Sequence, residues 1–219
     1  MFRIKICGLK SAADAVAAAT AGADAIGLNF YARSSRFVGD AQAAEIAAAL
    51  PPGVCKVGLF VNDSPERIRE LYERLELDLV QLHGDETPEF IARLPGIPVM
   101  KAFRLAPEDG PRVEAFAGAC QQAQAPLAAV LIDAFDAAHY GGTGRQADWQ
   151  GAADLRERMP EMPLILAGGL TPTNVAAAIA AVRPHGVDTA SGVEVFSAKD
   201  PDLMTAFVRA ARAGGVGAS

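Results

Sequence analysis

The sequence predicts an α/β protein, a single domain in which eight parallel strands close into a barrel ringed by helices. Three observations carry this. Short apolar runs rich in Val, Ile, Leu and Phe recur along the whole chain and alternate with longer segments of helical spacing. Four Ser-Pro, Thr-Pro or Asp-Pro pairs mark helix starts. Sharing 219 residues among eight strand-plus-helix units leaves about 27 residues per unit, a normal length for a compact barrel.

The expected strands, in order, are Arg3–Cys7, Ala25–Phe30, Cys55–Val61, Leu79–His83, Val99–Phe103, Leu127–Ile132, Leu164–Ala167 and Gly186–Ala190. Each is short and nearly continuously apolar, as suits parallel strands buried on both faces. Among the helices between them, Ser64–Leu75 is the clearest. Ile68, Leu71, Tyr72 and Leu75 recur at three- and four-residue steps, and Glu66, Arg67, Arg69, Glu70, Glu73 and Arg74 fill the other positions. Ser64-Pro65, Thr87-Pro88, Thr171-Pro172 and Asp200-Pro201 each put a capping side chain before a proline. The cap accepts an N–H that would otherwise be unpaired, and the proline gives up one that had no partner. Asp24, Asp78 and Asp188 each stand near the start of an apolar run, and for Asp24 and Asp78 the expected role is to bond local backbone groups at the barrel base. The reading is a single-domain (β/α)8 TIM barrel over residues 1–213, with a frayed tail over 214–219. An open doubly wound sheet is the alternative, but no glycine-rich dinucleotide turn follows the first strand.

Composition narrows the partners. Hydrophobic residues are 51% and charged residues 21%, ordinary for a folded soluble chain. A net charge of −6 gives no footprint for nucleic acid. The longest uncharged run, Met162 to Val182, is broken by Pro163, Gly168, Gly169, Pro172 and Asn174, so no membrane helix is expected. Three cysteines, Cys7, Cys55 and Cys120, are too few for a disulfide framework and suit a reducing cytoplasm. The scatter of Cys and His has no metal-ligand spacing, so neither metal nor cofactor is expected. A monomer and a homodimer are both compatible with the sequence.

In such a barrel the chemistry sits at the C-terminal strand ends. Three glycine clusters fall near strand ends in the last third: Gly141-Gly142-Thr143-Gly144, Gly168-Gly169 and Ser191-Gly192. Glycine lets backbone N–H groups approach an anion, and the loops after strands seven and eight are the usual phosphate cradle. Tight turns alone would also explain them. Asp133 follows the sixth run, where partial burial would suit a carboxyl to act as an acid, with a cap or ion pair as the plain alternative. Cys7 ends the first strand before Gly8. It reads either as a small buried hydrophobe or, beside a cation, as a thiolate base. Arg36, after Ser34-Ser35, reads as a surface residue or as a fork for a carboxylate. An acid and a base flanking a phosphorylated small molecule suggest an isomerase.

These residues resemble those of the phosphoribosylanthranilate isomerase family of tryptophan biosynthesis. The resemblance runs from Lys5-Ile6-Cys7-Gly8-Leu9 to Lys199-Asp200 and includes Ser34-Ser35-Arg36, Val80-Gln81-Leu82-His83-Gly84, Tyr140-Gly141-Gly142-Thr143-Gly144, Ala167-Gly168-Gly169-Leu170 and Ser191-Gly192-Val193-Glu194. It implies an Amadori rearrangement of N-(5-phosphoribosyl)anthranilate without cofactor or metal. Asp133 would protonate the ribose ring oxygen, and the Cys7 thiolate would take the proton from ribose carbon two. Arg36 would hold the anthranilate carboxylate, the glycine clusters with Thr143 and Ser191 would hold the phosphate, and His83 would have a supporting polar role. Ala190 stands where the family often has a serine. Two other readings are a histidine-pathway phosphoribosyl sugar isomerase, whose first strand ends in aspartate rather than cysteine, and a catalytically silent phosphate-binding barrel.

Overall fold

The computed structural model describes residues 1–104, 109–133 and 149–216. The first half runs β1 (Ile4–Cys7), α1 (Ala12–Ala21), β2 (Ala25–Asn29), α2 (Asp40–Ala48), β3 (Cys55–Phe60), α3 (Pro65–Arg74), β4 (Leu79–Leu82) and α4 (Pro88–Ile91). The second runs β5 (Val99–Arg104), α5 (Gly110–Gln122), β6 (Ala129–Asp133), α6 (Trp149–Arg158), β7 (Leu164–Ala167), α7 (Val175–Val182), β8 (Gly186–Thr189) and α8 (Pro201–Ala213). A two-stranded ribbon, β9 (Glu194–Val195) with β10 (Ala198–Lys199), lies between β8 and α8. All eight main strands pair in parallel, and β1 pairs with both β2 and β8, so the sheet closes into the expected barrel.

Strand alternation sorts the core into two layers. Ile4 and Ile6, Ile26 and Leu28, and Val130 and Ile132 face outward and pack with the helices. Residues of opposite parity point into the barrel, where Ala25, Val57, Leu79, Met100 and Leu131 form a second cluster, joined by Phe2 from just before β1. Each large apolar side chain so buried contributes about 1.5–3 kcal/mol. Above that cluster, nearer the C-terminal ends, Lys5, Gln81 and Asp188 have the same inward parity and are buried. The barrel therefore changes from apolar to polar just below its mouth.

Local signals explain the helix starts. The side chains of Ser64, Thr87 and Asp200 accept the backbone N–H of Arg67, Phe90 and Leu203 at 3.2, 3.3 and 2.9 Å, each with proline following. Such a cap is worth about 1 kcal/mol. The fourth expected start is a correction. Thr171-Pro172 precedes a turn, and α7 begins at Val175. Asn174 folds back, accepting from Thr171 N–H at 2.7 Å and donating to Gly169 O at 2.9 Å, which ties the turn to the end of β7. At the base, Asp24 accepts from Ile4 N–H at 3.0 Å and Asp78 from Lys56 N–H at 2.7 Å, the backbone role expected of both. The sixth strand lies later than its apolar run: Asp133 is its last residue and registers with Arg104 and Ala167. The chain after α8 stays folded as far as Val216, which is buried in the core, so the fraying expected from Gly214 does not begin there. Among the described residues no helix is long and apolar enough to cross a membrane.

Candidate active site

A cavity of about 480 Å³ opens at the C-terminal ends of the strands. Cys7, Arg36, His83, Asp133, Gly168, Gly169, Ser191 and Gly192 all line it, so the expected site residues described by the structure meet at one mouth. Gly142 and Thr143, with the rest of Gly141-Gly142-Thr143-Gly144, lie outside the described residues.

The strand order gives the site its layout. Going round the barrel from β6 to β2, the mouth presents Asp133, then Gly168-Gly169, then Ser191-Gly192, then Cys7, then Arg36. The candidate anion loops therefore stand between the carboxyl and the thiol. Gly168 and Gly169 have φ of 91° and 63°, a backbone region that L side chains rarely adopt. A Cβ on Gly192 would collide with the Leu170 carbonyl oxygen, and the Thr189 hydroxyl donates to that same oxygen at 2.7 Å. The two loops are thus locked together by close backbone approach and one hydrogen bond.

Cys7 is buried and sits opposite Gly27 in register. A Cβ on Gly27 would come within 2.5 Å of the Cys7 sulfur, so the missing side chain makes room for the thiol. Burial pushes the Cys7 thiol above its ordinary pKa, although Lys5 and Lys199 both act to lower it. On the thiolate-base reading of the sequence, a neighbouring cation or helix end would lower this pKa. The cations are present, but desolvation outweighs them.

Arg36 is set by a local turn. Asn29 Nδ2 donates to Ser34 Oγ at 3.1 Å, and Ser34 Oγ also accepts the Arg36 N–H at 3.1 Å. The guanidinium is not bare. Its Nε and Nη2 each donate to Glu194 at 2.7 Å, a two-point carboxylate contact, and Lys199 Nζ donates to Glu194 Oε1 at 2.8 Å. Burial acts to raise the Glu194 carboxyl, but Arg36 and Lys199 outweigh it and bring its pKa down to about 2.

His83 lies just beyond β4 on a loop fixed from below. Lys101 Nζ donates to Gly84 O at 2.7 Å and stands 3.2 Å from Glu86 Oε2. Glu86 in turn accepts the N–H groups of Asn62 and Gly84 at 2.8 and 3.0 Å. His83 Nε2 is 3.8 Å from Asp133 Oδ2. Burial first, then Lys5, Lys101 and Arg104, push the His83 pKa down from 6.5 to about 4. The unfolded chain therefore binds a proton between those pH values that the folded chain does not. Stability should fall as pH drops from 6.5 to 4, and that slope should be shallower in His83→Asn when both are followed by urea unfolding. Equal slopes would contradict the neutral ring.

Sequence reasoning missed part of the site. Lys5 lies one alternation below Cys7 on β1 and Gln81 one alternation before His83, which follows β4, and Asp188 on β8 is in register with Lys5. The period-two pattern could have found them, had polar residues inside apolar runs been read as inward-facing. Glu194 and Lys199 had no such signal, because the ribbon that carries them follows no simple period.

Comparison with known proteins agrees with this layout. Residues 4–210 match the family described as N-(5'phosphoribosyl)anthranilate (PRA) isomerase. The N-(5'-phosphoribosyl)anthranilate isomerase of Trichlorobacter lovleyi is 43% identical over 213 residues, covering 97% of this chain and 98% of that protein. That of Pseudomonas aeruginosa is 46% identical over 214 residues, covering 96% and 95%. The crystal structure of phosphoribosyl anthranilate isomerase from Thermotoga maritima superposes with a TM-score of 0.86 at 37% identity, over 97% of this chain and all of that one. A crystal structure of such an isomerase in complex with reduced 1-(o-carboxyphenylamino)-1-deoxyribulose 5-phosphate gives 0.81 at 34% identity, over 97% of this chain and 100% of that one. An acid, a thiol and two glycine loops at one barrel mouth, on a chain matched almost end to end, mean that this protein belongs to the N-(5'-phosphoribosyl)anthranilate isomerase family.

Proposed function

We propose that the protein converts N-(5-phosphoribosyl)anthranilate to 1-(2-carboxyphenylamino)-1-deoxyribulose 5-phosphate, an Amadori rearrangement in tryptophan biosynthesis, within the barrel domain of residues 1–213. The observation that carries this reading is the near full-length family match together with Cys7 and Asp133 on either side of the two glycine loops. The substrate phosphate would sit against Gly168, Gly169, Ser191 and Gly192, with Gly142 and Thr143, outside the described residues, as further contacts. That anchor leaves the ribose between acid and base.

Asp133 gives its proton to the furanose ring oxygen. The bond from carbon one to that oxygen breaks, and the anthranilate nitrogen supplies the electrons for a Schiff base. The Cys7 thiolate then takes the proton from carbon two, and the electron pair moves into the enol. Tautomerisation puts a proton on carbon one and leaves a ketone at carbon two. Carbon one is reduced as carbon two is oxidised, so the change is internal and needs no outside electron acceptor. Arg36 would orient the anthranilate carboxylate, and His83 would support the site as a polar neighbour of Asp133. Three free cysteines suit work in a reducing cytoplasm.

The test is turnover of phosphoribosylanthranilate by the purified chain, followed as loss of anthranilate fluorescence. Rapid loss at catalytic enzyme concentration is the expected result. A folded chain that leaves the signal unchanged overturns the reading.

A further inference from the structure

We propose that Lys5, acting through the Gln81 amide, fixes the tautomer of His83 so that its Nε2–H is turned towards Asp133. Lys5, Gln81 and His83 would then be positioning residues for the acid. The catalytic half of this inference rests on the reading of Asp133 given above; the tautomer does not.

The argument is one of donors and acceptors. Lys5 is fully buried, with Nζ 2.9 Å from Asp188 Oδ2 and 3.0 Å from Gln81 Oε1. An ammonium group carries donors only, so the Gln81 oxygen must face Lys5. The Gln81 NH2 is then the group 3.1 Å from His83 Nδ1. An amide NH2 donates and does not accept, so Nδ1 must accept and carries no proton. A neutral imidazole has one ring proton, which is left on Nε2. That nitrogen stands 3.8 Å from Asp133 Oδ2, beyond a hydrogen bond but close enough to form one after a small shift. Asp133 becomes a carboxylate once it has given up its proton, and an N–H in reach stabilises that state. His83 keeps its proton throughout.

The same Lys5 ammonium also interacts with the Cys7 sulfur. A single cation thus acts on the base through its charge and reaches the acid through two side chains. A glutamine placed only to satisfy a buried lysine would not need a second partner at hydrogen-bond distance, nor one that ends at the acid.

The tautomer can be read by 15N NMR of the full chain labelled in histidine. The sequence has three histidines, His83, His139 and His185, and loss of one set of signals in His83→Asn assigns the ring of interest. In the wild type, Nε2 should be protonated and Nδ1 bare. Gln81→Glu keeps the shape but offers Nδ1 only acceptors, so it should draw a proton onto Nδ1. With that change, kcat should fall about tenfold to hundredfold while KM stays within about twofold, as expected for one lost hydrogen bond to a charged group. If Gln81→Glu fails to fold, Gln81→Met removes both polar ends and should leave His83 as a mixture of tautomers. A wild-type ring protonated on Nδ1 overturns the proposal. A switched tautomer with unchanged kcat overturns its catalytic half. A wild type that shows the Nε2–H tautomer but no isomerase activity overturns the reading of Asp133 and leaves the tautomer assignment standing.

Discussion

Asp133→Asn should cost about a thousandfold in kcat, within the range of about 10²–10⁴ that a positioned acid or base supplies. Asparagine matches the carboxyl in size and keeps its oxygen, so β6 and its register with Arg104 and Ala167 should survive. What it lacks is a proton it can give to the ring oxygen. Binding should persist, because Gly168, Gly169, Ser191 and Gly192 follow β7 and β8 and do not depend on the Asp133 side chain. The measurement is a single-turnover rate beside the dissociation constant of a reduced product analogue. A kcat within tenfold of wild type would remove Asp133 from the acid role. Loss of analogue binding along with turnover would make it a binding group instead.

Cys7→Ser should be as severe, about a thousandfold on kcat. Serine nearly matches the thiol in shape, and Gly27 leaves the same space beside it. Packing is therefore held constant while acidity is not. A hydroxyl is far harder to ionise than a thiol, and burial already works against Cys7 becoming charged. Lys5 and Lys199 offset part of that cost for sulfur. They cannot bring an alkoxide within reach near neutral pH. Cys7→Ala should behave the same way and separates missing basicity from an unfavourable new hydroxyl. A serine variant that keeps a tenth or more of wild-type turnover would mean the base is elsewhere. The two assays also divide the reaction. With a substrate deuterated at carbon two, a slowed proton removal should raise the isotope effect in Cys7→Ser more than in Asp133→Asn.

Much of this was legible in the sequence because it depended on local rules. Strand lengths, the amphipathic spacing of α3 and the caps at Ser64, Thr87 and Asp200 are set by neighbours a few residues apart. The Thr171-Pro172 start was misread because Asn174 competes for the same backbone, and side-chain competition of that kind leaves no mark on spacing. Cys7 and Asp133 were legible as strand-end residues of unusual type, and Arg36 as a cation in the loop after β2. The partners that define their chemistry were not. Asp188 is 183 residues from Lys5, and Glu194 is 158 from Arg36, so only barrel closure brings them together. The sign of the Cys7 shift depended on the balance among burial, the nearby Lys5 and the distant Asp188 and Lys199, which no local pattern encodes.

The carboxylate of Glu194 on Arg36 makes ligand capture an exchange rather than a simple addition. If Arg36 holds the substrate carboxylate as proposed, an incoming acid would have to displace a group that Lys199 also holds in place. The gain from the new contact is offset by the loss of the old, so a small free carboxylate has little to win. A molecule tethered at a second point competes from a high effective concentration and can complete the swap. Selection then falls on the separation between two anions in one molecule. On the proposed reading, acids carrying only one of the two handles would be kept out without any pocket built to reject them.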